Sequence, residues 1–168
     1  VGLGLAIELG QRGVDVVVVE RYHQPQPVPK GQNLTQRTME HFHFWGAEPM
    51  LRSARTVPAE YGIGGMTTYG ALLSPYTYDW LQRELVQPFY YQENERLPQY
   101  QTEAVLRARV AELPSVKVLY GWSGDAVEQD QHGATLQVSE REGDGTRTIH
   151  AQFVVGCDGS RSGIRETA

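Results

Sequence analysis

One cysteine, Cys157, is all that the 168 residues contain. That excludes an intrachain disulfide framework and any zinc site built on several thiolates. It also fits a reducing, cytoplasmic compartment. Long apolar runs are missing as well. The longest gathers five valines between Val14 and Val19 and is interrupted by Asp15, far short of the roughly 18 residues that span a bilayer. No secretory leader pattern opens the chain, and Val1 in place of a methionine suggests a sequence that starts inside a longer one. Positive charge is in deficit, with 15 Lys and Arg against 20 Asp and Glu. With no basic stripe either, nothing offers a nucleic acid an electrostatic footprint. Internal repeats and low-complexity tracts are absent.

What is present is an ordinary globular composition, 40% hydrophobic and 21% charged. The length suits one domain, or one domain plus part of another. The 18 glycines exceed the usual share of about 7%, so their positions carry information. Residues 1–13 read as a helix whose face is Leu3, Ala6, Ile7 and Gly10, stopped by Gly13. Gly2, Ala6 and Gly10 form a row of small residues along it, suited to close approach to a sheet. Val14 to Val19 follow as a strand apolar at nearly every position, which predicts burial on both faces as in a parallel sheet. Asp15 marks its entrance and Glu20 its exit.

Three prolines make 21–34 a loop. A second helix is predicted from Thr35 to Trp45, stopped by Gly46, and a third from Thr102 to Leu113, stopped by Pro114. Residues 56–79 read as irregular or antiparallel, and 80–95 as helix or loop. Val116 to Tyr120 reads as a strand. Ala126 to Gln129, Ala134 to Arg141 and Arg147 to Val155 read as a meander, with turns at Gln131–Gly133 and Gly143–Gly145. Its last apolar stretch, Phe153-Val154-Val155, runs into Gly156-Cys157-Asp158-Gly159, and Ser162 can cap a short final helix. This order of elements points to an α/β nucleotide-binding domain with an antiparallel insertion.

Three constellations carry chemistry. Gly2 and Glu20 are 18 positions apart, close to the spacing between a phosphate-binding glycine turn and the acidic residue that accepts ribose hydroxyls. The same pair also suits a helix-packing glycine and a solvated strand-end glutamate. Asp158 stands between two glycines where an apolar stretch meets a helix, so it can approach a ligand's hydroxyls or order water around a phosphate. It can equally bond its own turn. Arg37, in the first turn of its helix, opposes the helix dipole by about 0.3–1 kcal/mol unless an anion binds nearby. It can instead pair with Glu40. His41 and His43 point to different faces and make poor joint metal ligands. Asp158 beside Cys157 disfavours a thiolate. Tyr61, Tyr69, Tyr76, Tyr78 and Trp80 suit either an aromatic-substrate pocket or plain sheet core and surface.

Taken together, Val1-Gly2-Leu3, Val19-Glu20-Arg21, Gln36-Arg37-Thr38-Met39-Glu40, Tyr100-Gln101-Thr102-Glu103 and Gly156-Cys157-Asp158-Gly159 resemble, in order, the flavoprotein aromatic hydroxylases, the para-hydroxybenzoate hydroxylase group. The resemblance implies an α/β, Rossmann-like FAD-binding domain with an antiparallel β meander, incomplete at both ends. Residues 1–55 would be FAD-binding with the first strand missing. Residues 56–98 would begin the substrate-domain excursion, and 99–168 would continue the FAD-binding part. Glu20 would hold the adenosine ribose, with Arg21 alongside the adenine. Arg37 would face the FAD phosphates, Gln101 would contact the flavin side, and Asp158 and Gly159 would form the turn near the pyrophosphate.

The implied reaction is NAD(P)H-driven hydroxylation of a phenolic or polyketide ring by O2. The cofactor carries the hard chemistry, which accounts for the absence of a catalytic triad or carboxylate pair. No catalytic side chain and no metal are expected, and a homodimer is left open. The chain would be the first third to half of such an enzyme, and on its own would bind FAD weakly or not at all. The competing readings are a halogenase or epoxidase of the same fold, an NAD-binding dehydrogenase domain, and a non-enzymatic remnant.

Overall fold

In the computed structural model, residues 1–58, 65–79, 83–160 and 162–167 are described. In chain order the elements are helix α1 (Gly2–Gly10), strands β1 (Val16–Glu20) and β2 (Asn33–Leu34), and helices α2 (Gln36–Phe44) and α3 (Glu48–Ser53). Strands β3 (Met66–Thr68) and β4 (Thr77–Asp79), helix α4 (Arg83–Val86) and a 3-10 turn at Gln87–Phe89 come next. Then follow β5 (Glu95–Arg96), helix α5 (Gln99–Ala111), strands β6 (Val116–Tyr120), β7 (Trp122–Asp130), β8 (Gly133–Glu140) and β9 (Thr146–Ala151), and helix α6 (Gly163–Thr167). The chain forms two compact units. One comprises Val1–Pro25 with Val110–Ala168, the other Gln26–Arg109.

The first unit is built on a parallel pair, β1 with β6, in register from Val16↔Val116 to Glu20↔Tyr120. Helix α1 lies on it with Gly4, Ala6, Ile7 and Gly10 buried. Contact is closest at Gly10, where an added Cβ would fall 2.5 Å from Val116 Cγ2 and 3.2 Å from Leu113 Cδ1. Ser115 Oγ donates to the Gly10 carbonyl at 3.1 Å. The reversal into β1 turns on Gly13, at φ +76°, a conformation that glycine adopts without strain. Strands β7, β8 and β9 form an antiparallel meander with an irregularity between Gly124 and Ala126. Its first turn is closed by Asp130, whose Oδ1 accepts the amides of His132 (2.7 Å) and Gly133 (3.1 Å).

Two strand expectations need correction in this unit. β1 starts at Val16 because Val14 is consumed by the turn, its amide donating to the Leu9 carbonyl at 3.2 Å. Nor is β1 buried on both faces, since Val17 is 45% exposed. Among the described residues β1 is paired along one edge only, and the face that carries Val17 is left open to solvent. Phe153-Val154-Val155 is not a strand. β9 ends at Ala151, and Phe153 is 83% exposed, because no ladder partner among the described residues takes up its backbone.

The second unit packs Met39, Phe42, Ala47, Leu51, Leu97 and Val105 into one core, drawn from α2, α3, α5 and the residues just before α3 and α5. Thr35 caps α2 as its sequence suggests, accepting the Thr38 amide at 3.3 Å. Helix α5 begins three residues earlier than the periodicity predicts, because the Pro98 carbonyl accepts the amides of Gln101 and Thr102. The short pair β3–β4 is antiparallel, Met66↔Asp79 to Thr68↔Thr77, in line with the antiparallel reading for that part of 56–79; residues 59–64 lie outside those described. Tyr61, Trp80 and Arg161 lie outside the described residues. Among those described, no helix is long and apolar enough to cross a membrane.

Candidate cofactor-binding site

The parallel pair gives the first unit a polarity. Gly10, at the C-terminal end of α1, packs on Val116 at the start of β6. Helix α1 therefore runs back along the pair, and its N-terminus lies at the end where β1 and β6 finish. That end carries Glu20, the last residue of β1. It also carries the segment 156–159, for a Cβ added at Gly2 would lie 3.5 Å from the Cβ of Cys157. The sequence candidates Gly2, Glu20, Asp158 and Gly159 thus share one end of one unit. The first amides of α1 have no side-chain cap, and unpartnered helix-start amides attract negative charge.

Glu20 Oε1 accepts the Tyr22 amide at 2.9 Å. Among the described residues its other oxygen receives no hydrogen bond, leaving an acceptor for a pair of hydroxyls. Arg21 is exposed, its guanidinium carbon 5.8 Å from the centre of the Tyr22 ring. Asp158 sits in a turn that α6 closes. Ile164 lies over Gly156, where an added Cβ would come 2.9 Å from Ile164 Cβ. Hydrogen bonds from the Ser162 hydroxyl and the amides of Gly163 and Ile164 hold the Asp158 carboxyl below its usual range, against the opposing effect of burial. Ser162 also accepts the Arg165 amide at 3.1 Å. An ionised Asp158 can only accept hydrogen bonds, so it suits hydroxyls or ordered water rather than direct contact with phosphate. Its Oδ1 is buried with no partner among the described residues. Such an orphan acceptor costs about 1–3 kcal/mol unless something fills the position.

The remaining candidates belong to the second unit. Arg37 pairs with Glu40 at 3.1 Å and is exposed. The other Glu40 oxygen accepts the Tyr91 amide at 3.1 Å. That amide, followed by Arg37, holds the Glu40 carboxyl below its usual range. Gln101 Oε1 is buried with no partner among the described residues, and so are Thr102 Oγ1 and Gln36 Nε2. Gln36 and Thr102 stand in the segments that carry the family resemblance, but the sequence assigns neither a site role. Only their polarity at helix starts signals them, and that signal is common. His43 bonds Glu48 (2.9 Å) and His41 stacks on Trp45. Among the described residues no cluster of His, Cys, Asp and Glu could hold a metal. Tyr69, Tyr76 and Tyr78 are exposed.

The shared end of the first unit suits an anionic group with ribose hydroxyls. The whole chain, residues 1–168, matches the family model described as FAD binding domain, and it belongs to that family. It is 30% identical to a 3-(3-hydroxy-phenyl)propionate/3-hydroxycinnamic acid hydroxylase of Paraburkholderia xenovorans (strain LB400), over 98% of this chain and 25% of that protein. It is 29% identical to a putative polyketide hydroxylase of Streptomyces halstedii, over 99% of this chain and 30% of that protein. Among solved structures, the flavin-dependent monooxygenase PieE in complex with FAD and substrate superposes with a TM-score of 0.85 at 23% identity, over 99% of this chain and 30% of that one. Aklavinone-11 hydroxylase with FAD and aklavinone gives 0.81 at 25%, over 98% and 32%. The fold is therefore the α/β FAD-binding architecture expected from the sequence. The chain spans a quarter to three tenths of these curated relatives, somewhat less than the third to half expected.

Proposed function

We propose that this chain contributes the FAD-binding part of a monooxygenase that uses NADPH or NADH and O2 to hydroxylate a small aromatic substrate, phenolic or polyketide. The observation that carries the reading is the shared end of the first unit, where the start of α1, Glu20 and the partnerless Oδ1 of Asp158 lie together. Bound FAD would supply the hydride acceptance and oxygen activation that no side chain can. The protein binds and orients. The α1 amides beside Gly2 meet the pyrophosphate charge. Glu20 accepts the adenosine ribose hydroxyls, and Arg21 lies along the adenine. Asp158 accepts from hydroxyls or water next to the phosphates, on a turn closed by Gly159. Arg37 offers positive charge to the phosphates, and Gln101 offers its partnerless carbonyl oxygen to the flavin. The names of the hydroxylase relatives favour an aromatic ring as the substrate. The reading carries with it a cytoplasmic location and residues 56–98 as the start of a substrate domain. It leaves room for a homodimer.

The test is direct. Full-length protein should purify yellow, release flavin on denaturation, and consume NAD(P)H and O2 when given a phenolic substrate. Asp158→Ala should weaken FAD binding about tenfold, the loss of a hydrogen bond to a charged group, as read by flavin fluorescence titration. A colourless protein that cannot be reconstituted with FAD would refute the proposal. Unchanged affinity in the variant would return Asp158 to the role of a turn residue.

A further inference from the structure

Beyond β1 the chain folds over the corner between β6 and β7. The Tyr22 amide holds Glu20 Oε1 at 2.9 Å. Its ring centre lies 4.7 Å from the guanidinium carbon of Arg141, the residue that follows β8. The Arg141 backbone is anchored beside it, because its amide donates to the Gly121 carbonyl at 2.8 Å. Gly121 has φ +79°, and the His23 imidazole occupies the space that a Cβ there would need. Residues 21–23 are thus pinned twice, by Arg141 on the Tyr22 ring and by His23 on Gly121. Both contacts reach across more than ninety residues of sequence, and both bear on the loop whose first hydrogen bond orients Glu20.

We propose that Arg141 is a positioning residue for the adenosine end of the cofactor site. By holding the Tyr22 ring it fixes the amide that ties down one oxygen of Glu20, so that the other oxygen is presented to the ribose. The attraction of a guanidinium for an aromatic face supplies the hold. The inference rests on the reading of Glu20 as the ribose acceptor, and the two can fail separately.

The experiment compares FAD with an FAD analogue whose adenosine ribose lacks the 2′-hydroxyl, titrated into the full-length apoprotein. Wild type should prefer FAD by about tenfold, the scale of one charge-assisted hydrogen bond. Arg141→Ala should bring the ratio close to one. Arg141→Lys, which keeps a cation over the ring, should restore most of it. Tyr22→Leu, which keeps the amide but loses the aromatic face, should match Arg141→Ala, and it stands in should that variant not fold. A purely structural role for Arg141 would weaken both cofactors equally and leave the ratio at its wild-type value, which overturns the inference. Glu20→Ala separates the two claims. If it abolishes the preference while Arg141→Ala and Tyr22→Leu keep it, only the positioning role fails. If Glu20→Ala itself keeps the preference, or wild type shows none, the ribose reading fails and the inference falls with it.

Discussion

The two compact units are held together by opposite means. The first relies on backbone ladders and on a helix set so close to its strands that Gly10 has no room for a side chain. The second relies on a small apolar core and, beside it, a network of charges. Glu95, only 1% exposed, accepts from Arg52 at 3.3 Å, from both Nε and Nη2 of Arg55, and from the Arg96 amide at 3.0 Å. Arg52 also donates to Glu48 and Gln92, each at 2.8 Å. Burial raises the Glu48 carboxyl, but hydrogen bonds from Arg52 and His43 outweigh it and hold the group below its usual range. The difference shows how each unit meets its task. Where strands of five to nine residues pair, backbone groups hold the chain. Where strands run to only two or three residues, side chains are spent on fixing it.

The sharpest way to break the contrast is Glu95→Ala. It leaves Arg55 without its carboxylate while Arg52 keeps Glu48 and Gln92, and both arginines still reach some water, so the cost falls at the low end for a broken buried pair, about 3 kcal/mol. Urea unfolding should show that loss, and hydrogen exchange should confine the faster amides to residues 26–109. Loss spread evenly over both units would erase the distinction. Gly10→Ala strikes the first unit instead, through overpacking against Val116 and Leu113, at about 1–3 kcal/mol. Its exchange signature should appear in α1, β1 and β6.

The smallest effect is that of acid. Glu40 and Glu48 in the second unit and Asp158 in the first all have carboxyls held below their ordinary values. A depressed folded-state pKa gives stability that is present above the unfolded value, roughly 4, and is lost as pH falls through the folded value. Stability should therefore be flat from pH 7 to about 5 and then decline, more in the second unit than the first. Glu40→Gln should shallow that decline and lower neutral stability by the same small amount. An equal slope in wild type and variant would remove Glu40 from the account.

Much of this was legible from local signals. Gly13 ends the α1 turn, Thr35 caps α2, and Ser162 caps α6, because each of these devices works within a few residues of chain. The meander announced itself by its turns, though Asp130 rather than Gly133 alone closes the first. Glu20 and Asp158 stood out because spacing and flanking glycines are themselves local. What escaped depends on distant partners. Phe153–Val155 is apolar enough for a strand, but strands are made by neighbours. Burial of β1 was overread for the same reason. Nothing near Glu95 in the sequence signals its burial, since its arginines are 40 and more residues away. Helix α3 is six residues long and has no side-chain cap, too short to show periodicity. The Tyr22–Arg141 contact joins residues that no window of sequence compares.

The double duty of Ser162 has a practical corollary. One hydroxyl both starts α6 and steadies Asp158, and Ile164 from the same helix fills the space above Gly156. Positions 156–160 and 162–165 therefore behave as a single cassette for protein engineering. Threonine at 162 preserves both bonds, alanine forfeits both, and a graft that transplants the glycine turn without the helix behind it would carry over the letters of the motif but not its shape.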